Sequence, residues 1–201
     1  MARILFALMW VMACGQLQAQ TLLVLGDSLS AGYQMQAEQS WPALLQQQWQ
    51  QTGGQHQLIN ASISGETTQG ALTRLPVLLK EHKPDWLLIE LGGNDGLRGF
   101  PPAITRQNLA KMLAMAKQQG IHTILTQIQL PPNYGTRYLR QFETIFPDLA
   151  KENERPLLPF FLDDIATRPE LMLNDGIHPK AEAQPLIRDK VARFVEPLLT
   201  H

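Results

Sequence analysis

At 201 residues, 44% hydrophobic and 17% charged, the chain has room for one domain with a proper core and for no comfortable second one. A formal net charge of −1 argues against a nucleic-acid partner, because phosphate binding needs a basic surface. There is no low-complexity tract and no disorder signature.

The opening stretch, MARILFALMWVMACGQLQAQ, sets one early cation (Arg3) before an apolar run from Ile4 to Ala13, then a polar segment ending near Ala19. That order describes a secretory signal peptide, too short in its apolar part to span a bilayer, and it implies a periplasmic or secreted protein. Cleavage after Ala19 leaves residues 20–201 as a single mature domain, although Leu17 is bulky for the position three before the cut. The alternative reads Val11 to Cys14 as a lipoprotein box, with Cys14 acylated and the chain lipid-anchored. Cys14 is the single cysteine, so removal of residues 1–19 leaves no disulfide, thiolate metal site or cysteine nucleophile.

Beyond the leader, short apolar runs predict strands over residues 21–26, 56–63, 85–91 and 122–128, with a weaker fifth over 156–161. They are nearly continuous rather than alternating, as in a parallel sheet covered on both faces. Helical spacing separates them. Trp41 to Gln51 reads as a helix with a Gln-rich wet face, and Ala71, Leu72, Leu75, Leu78 and Leu79 form a stripe with a kink or break expected at Pro76. Leu109, Met112, Leu113 and Ala116 make another stripe, and Ile187, Val191, Phe194, Val195 and Leu198 a last one. Strand–helix alternation throughout predicts a three-layer α/β/α sandwich of about five parallel strands. Its ligand site is then expected beyond the carboxyl ends of the strands.

Four segments at such positions carry the candidate chemistry. GDSLS (Gly26–Ser30) follows the first strand and exposes Ser28, either as a nucleophile or as part of a helix cap. After the second strand, Gly65 opens the next helix as either a plain turn glycine or a backbone donor to developing negative charge. GGND (Gly92–Asp95) ends the third strand and is good loop chemistry. It also aims the Asn94 amide inward, as an oxyanion hole requires. Asp175 and His178 stand three apart in NDGIHP, either an ordinary surface loop or a carboxylate orienting an imidazole toward a nucleophile. His56, His82, His122 and His201 receive no chemistry. No metal, nucleotide or flavin motif is present, so no cofactor is expected.

Taken together, GDSLS, the isolated Gly65, GGND and DGIH resemble the four sequence blocks of the SGNH (GDSL) hydrolase superfamily. That resemblance implies a flavodoxin-like fold and a serine hydrolase. Ser28 would be the nucleophile, His178 the general base and acid, and Asp175 its orienting group. The oxyanion donors would be the Ser28 and Gly65 N–H groups and the Asn94 amide. TLLVLGDSLSAGY, INASISG, ELGGNDGLRGF and QLPPNYG further resemble a branch of bacterial periplasmic enzymes with thioesterase, lysophospholipase and arylesterase activities. In that branch the loop matching QLPPNYG closes over acyl chains, which would make Leu130, Pro131, Asn133 and Tyr134 substrate contacts. The implied partners are a small acyl ester or thioester and, transiently, a lipid surface, without a stable membrane span. A carbohydrate or acetyl esterase of the same superfamily and a non-catalytic lipid-binding module are the alternatives. Ser28 does not lie in the Gly-x-Ser-x-Gly elbow of the α/β-hydrolases.

Overall fold

The computed structural model describes residues 19–200, so Cys14 and all of the expected leader but Ala19 lie outside the described residues. Five strands form one parallel sheet: β1 (Thr21–Gly26), β2 (Gln57–Asn60), β3 (Trp86–Glu90), β4 (His122–Thr126) and β5 (Leu157–Leu158). Their order across the sheet is β2-β1-β3-β4-β5. The helices are α1 (Ser28–Ala31), α2 (Trp41–Gln51), α3 (Thr68–His82), α4 (Gly93–Leu97), α5 (Pro102–Gln118), α6 (Thr136–Glu143), α7 (Ile145–Glu152) and α8 (Gln184–Leu199).

Successive side chains of a strand point to opposite faces. The apolar run of β1 therefore feeds two cores. Leu22 and Val24 join Leu88 and Ile124 under α2 and α8, while Leu23 and Leu25 join Leu87, Ile89 and Leu125 under α3, α5, α6 and α7. All these strand residues are fully buried, and each such aliphatic side chain contributes about 1.5–3 kcal/mol. This is the expected three-layer sandwich, and the order of its strands decides where a ligand can sit. The chain leaves β1 to one side for β2, then crosses to the other side for β3. The carboxyl ends of β1 and β3 consequently diverge into a crevice at the point where the winding reverses.

Three local expectations change. The second strand stops at Asn60 instead of running to 63. The Asn60 amide donates to the Ser30 carbonyl at 2.8 Å and its Oδ1 accepts from Ser62 N–H, which turns the chain. The fifth strand has two residues rather than six, pairing with β4 only at Leu157 and Leu158. Pro76 does not break α3, which runs continuously from Thr68 to His82. Pro76 sits on the exposed face, away from the core.

Candidate active site

Gly26 ends β1 in a space that admits no side chain. A Cβ there would lie 2.8 Å from Glu90 Oε2 and from Ser62 Oγ. The chain turns at once into α1, with Asp27 as its cap: Oδ1 accepts from Leu29 N–H at 3.1 Å. Capping and exposure of Ser28 are therefore parts of one arrangement, not alternatives. Ser28 is the first residue of the helix, where N–H groups lack intrahelical partners. Its N–H has no acceptor among the described residues.

The Ser28 Oγ lies 2.8 Å from His178 Nε2, and His178 Nδ1 lies 2.8 Å from Asp175 Oδ2. Asp175 Oδ1 accepts from the N–H groups of Ile177 and His178 at 2.9 and 3.0 Å. Partial burial pushes the Asp175 carboxyl up, but these two N–H groups and the imidazole outweigh it and hold it below the ordinary Asp value. An ionised carboxylate only accepts, so the ring hydrogen belongs on Nδ1 and Nε2 is left to accept from the Ser28 hydroxyl. The loop is closed by an antiparallel bridge between Met172 and Pro179 and by Leu173 N–H donating to the His178 carbonyl. Gly176 has φ +67°, a turn conformation that suits glycine. The Tyr33 ring covers the imidazole with centroids 4.3 Å apart.

Asn94 stands on α4, directly past β3, and its amide donates to Asp27 Oδ2 at 3.0 Å. That uses one of its two hydrogens. The turn into α4 passes through Gly92 at φ +116°, where a Cβ would lie 3.2 Å from the Phe146 ring. Beside Asn94, the buried Asp95 accepts from Thr68 N–H at 2.9 Å and from the Thr68 hydroxyl, tying α4 to the start of α3. Gly65 is not in the first turn of that helix, as its position after β2 suggested. It lies before the Thr67 cap at φ +78°, with its carbonyl held by Arg98 at 3.1 Å and its N–H without an acceptor among the described residues.

A cleft of about 340 Å³ joins these elements and includes Ser28, Asn94 and His178. Leu97, Ile128, Leu130, Pro131, Phe160 and Met172 give it apolar walls. Of the loop after β4, Leu130 and Pro131 face the cleft; Asn133 is exposed, and the Tyr134 hydroxyl donates to the Leu97 carbonyl at 2.9 Å. Three features escaped the sequence reading: the tilted packing of Tyr33 on the imidazole, the Asp95–Thr68 tie, and a pair of buried carboxyls, Asp27 and Glu90. Burial, the largest influence, raises Asp27 to about 6 against opposing bonds from Leu29 and Asn94 and the charge of His178. The one signal for Glu90 in the sequence is an acidic residue ending an otherwise apolar strand.

The chain is similar to known proteins in both sequence and fold. A family model described as GDSL-like Lipase/Acylhydrolase matches residues 24–185. The chain is 53% identical over 183 residues to the thioesterase 1/protease 1/lysophospholipase L1 of Escherichia coli K12, covering 91% of this chain and 86% of that one. It is 53% identical over 175 residues to an arylesterase of Vibrio mimicus, covering 87% and 88% of the two chains. Among solved structures, the psychrotrophic esterase EstA from Pseudoalteromonas sp., in a form inhibited by monoethylphosphonate, superposes with a TM-score of 0.88 at 44% identity. That match covers 90% of this chain and all of that one.

Proposed function

The chain belongs to the GDSL-like Lipase/Acylhydrolase family, and from that premise we propose that it is an exported serine esterase acting on acyl esters and thioesters through Ser28. The observation that carries this reading is the continuous path from Ser28 Oγ to His178 Nε2 and from His178 Nδ1 to Asp175, each step 2.8 Å. In the first half-reaction His178 takes the Ser28 proton as Oγ attacks the acyl carbon. The proton then passes to the departing alcohol or thiol, leaving an acyl-enzyme. Water activated by the same imidazole completes the cycle. The oxyanion is met by Ser28 N–H, Gly65 N–H and the second amide hydrogen of Asn94.

The substrate class follows from the cleft walls. Leu97, Ile128, Leu130 and Met172 suit a medium-to-long acyl chain better than a sugar ring, whose hydroxyls would need polar partners. The thioesterase, lysophospholipase and arylesterase named among the relatives support this breadth. Export by the leader directs the mature domain, residues 20–201, to the periplasm or beyond. Envelope lipids and other esters are then the natural substrates, and thioester cleavage is a measurable side capability.

The test is labelling with an organophosphorus reagent and hydrolysis of p-nitrophenyl esters from acetyl to palmitoyl, beside a lysophospholipid and an acyl thioester. Ser28→Ala should abolish labelling and lower turnover by about a million-fold. Labelling that survives the substitution overturns the nucleophile. Equal activity across acyl lengths overturns the acyl groove.

A further inference from the structure

Glu90 ends β3 directly beneath the nucleophile turn. It is fully buried, yet no arginine, lysine or histidine among the described residues is hydrogen-bonded to it. Its Oε2 accepts from the Ser30 hydroxyl at 2.8 Å and, more weakly, from Asp27 N–H at 3.4 Å. These residues flank Ser28 on either side. Its Oε1 is buried and has no hydrogen-bond partner among the described residues. The nearest acidic neighbour is Asp27, whose own Oδ2 holds the Asn94 amide. The carboxyl thus braces the short turn that presents Ser28 and touches, through Asp27, the side chain proposed to stabilise the oxyanion.

We propose that Glu90 is a positioning residue that works as a neutral carboxylic acid, bracing the Asp27–Ser30 turn, and that turnover requires it to stay protonated. The charge state follows first from geometry. Oε2, which accepts both bonds, acts as the carbonyl oxygen, and the proton resides on Oε1. An anion here would leave an unsolvated charge on Oε1, a far larger cost than an unpaired hydroxyl. Every ionisable influence agrees. Desolvation and the charge of Asp27 both raise the Glu90 carboxyl well above its ordinary value, against the weaker pull of the bonds from Ser30 and Asp27 N–H. His178 and Asp95 act on Asp27 in opposite senses, and Ser62 is the uncharged neighbour on the β2 side. Loss of the proton to solvent would set a second buried anion beside Asp27, under a site that must accumulate negative charge on the oxyanion.

This inference rests on the esterase reading, so the experiment has one arm that needs no turnover. Infrared spectra of the mature protein at pH 7 should contain the carbonyl stretch of a protonated buried carboxyl, and E90Q should lack it. In steady-state assays E90Q, a neutral isostere, should keep kcat within about threefold of wild type at pH 7. E90A should lose kcat by about tenfold or more with little change in KM, because Ser30 and the turn lose their acceptor. Wild-type kcat should fall at alkaline pH, and that fall should be smaller in E90Q. A missing infrared band, E90Q as impaired as E90A, E90A as active as wild type, or an alkaline limb no steeper in wild type than in E90Q each overturns the proposal. If E90A does not fold, the infrared and E90Q arms decide alone. A wild-type protein that shows the band yet hydrolyses no ester overturns the esterase reading instead.

Discussion

Ser28 and Asn94 stand on short helices whose polar groups lie in a buried network spanning the sheet, whereas Asp175 and His178 stand on a loop that closes on itself. On the first side, Asp27 reaches Asn94 across 67 positions of chain, Glu90 reaches Ser30 across 60, and Asp95 reaches Thr68 across 27. On the second, Asp175 binds the N–H groups two and three residues ahead, and Leu173 N–H binds the His178 carbonyl. Among the described residues, only the 2.8 Å contact between His178 and Ser28, 150 positions apart, joins the halves directly through hydrogen bonding. The Ser28 side obtains its rigidity from tertiary structure. The imidazole side is preset by a local turn and needs only to be docked.

The comparison breaks most sharply at Asp175. Asp175→Asn frees the ring tautomer while sparing the network under Ser28, so turnover should drop by about 10,000-fold with thermal stability nearly unchanged. A large fall in melting temperature would show that the loop also serves the fold. Asn94→Ala should cost about 100–1000-fold in kcat. Because the Asn94 amide also satisfies Asp27, a measurable loss of stability should accompany it. Asp95→Ala strips the acceptor from buried Thr68 and should destabilise by about 1–3 kcal/mol in urea unfolding. Gly176→Ala forces a side chain to φ +67° where nothing crowds it, so the expected cost is strain alone, about 1–2 kcal/mol.

The smallest effect is a pair of opposite pH slopes. Asp27 is raised from its ordinary 3.8 to about 6 in the folded protein, so the native state binds more protons than the unfolded chain between those values. Its contribution to stability is therefore greatest below that window and declines as pH rises to about 6. Asp175 is lowered, so its contribution is present above the ordinary Asp value and is lost as pH falls through the lower folded value. Thermal unfolding of wild type minus Asp27→Asn, and of wild type minus Asp175→Asn, should yield slopes of opposite sign on the acid side. Slopes of the same sign would remove the electrostatic half of the contrast.

The same contrast explains which parts of the molecule were legible in one dimension. Apolar runs between helical stripes sufficed for the layers, since each of those patterns is local. Ser28, Asn94, Asp175 and His178 stood out because each follows a strand or a turn in a short polar segment. Asn60 ended the second strand through a particular hydrogen bond that an apolar count does not register. Pro76 was tolerated because of the face on which it fell.

By itself, the sequence determined the layer architecture and supplied the candidate reactive groups, because apolar period and side-chain chemistry are properties of neighbouring residues. It also carried the Asp175–His178 turn, whose bonds span three residues. The tertiary structure alone decided that His178 meets Ser28, that the Asn94 amide is shared with Asp27, and that Glu90 lies buried beneath them. The physical reason is the winding of the sheet. Only when β1 and β3 become neighbours do two acidic residues 63 positions apart meet under Ser28.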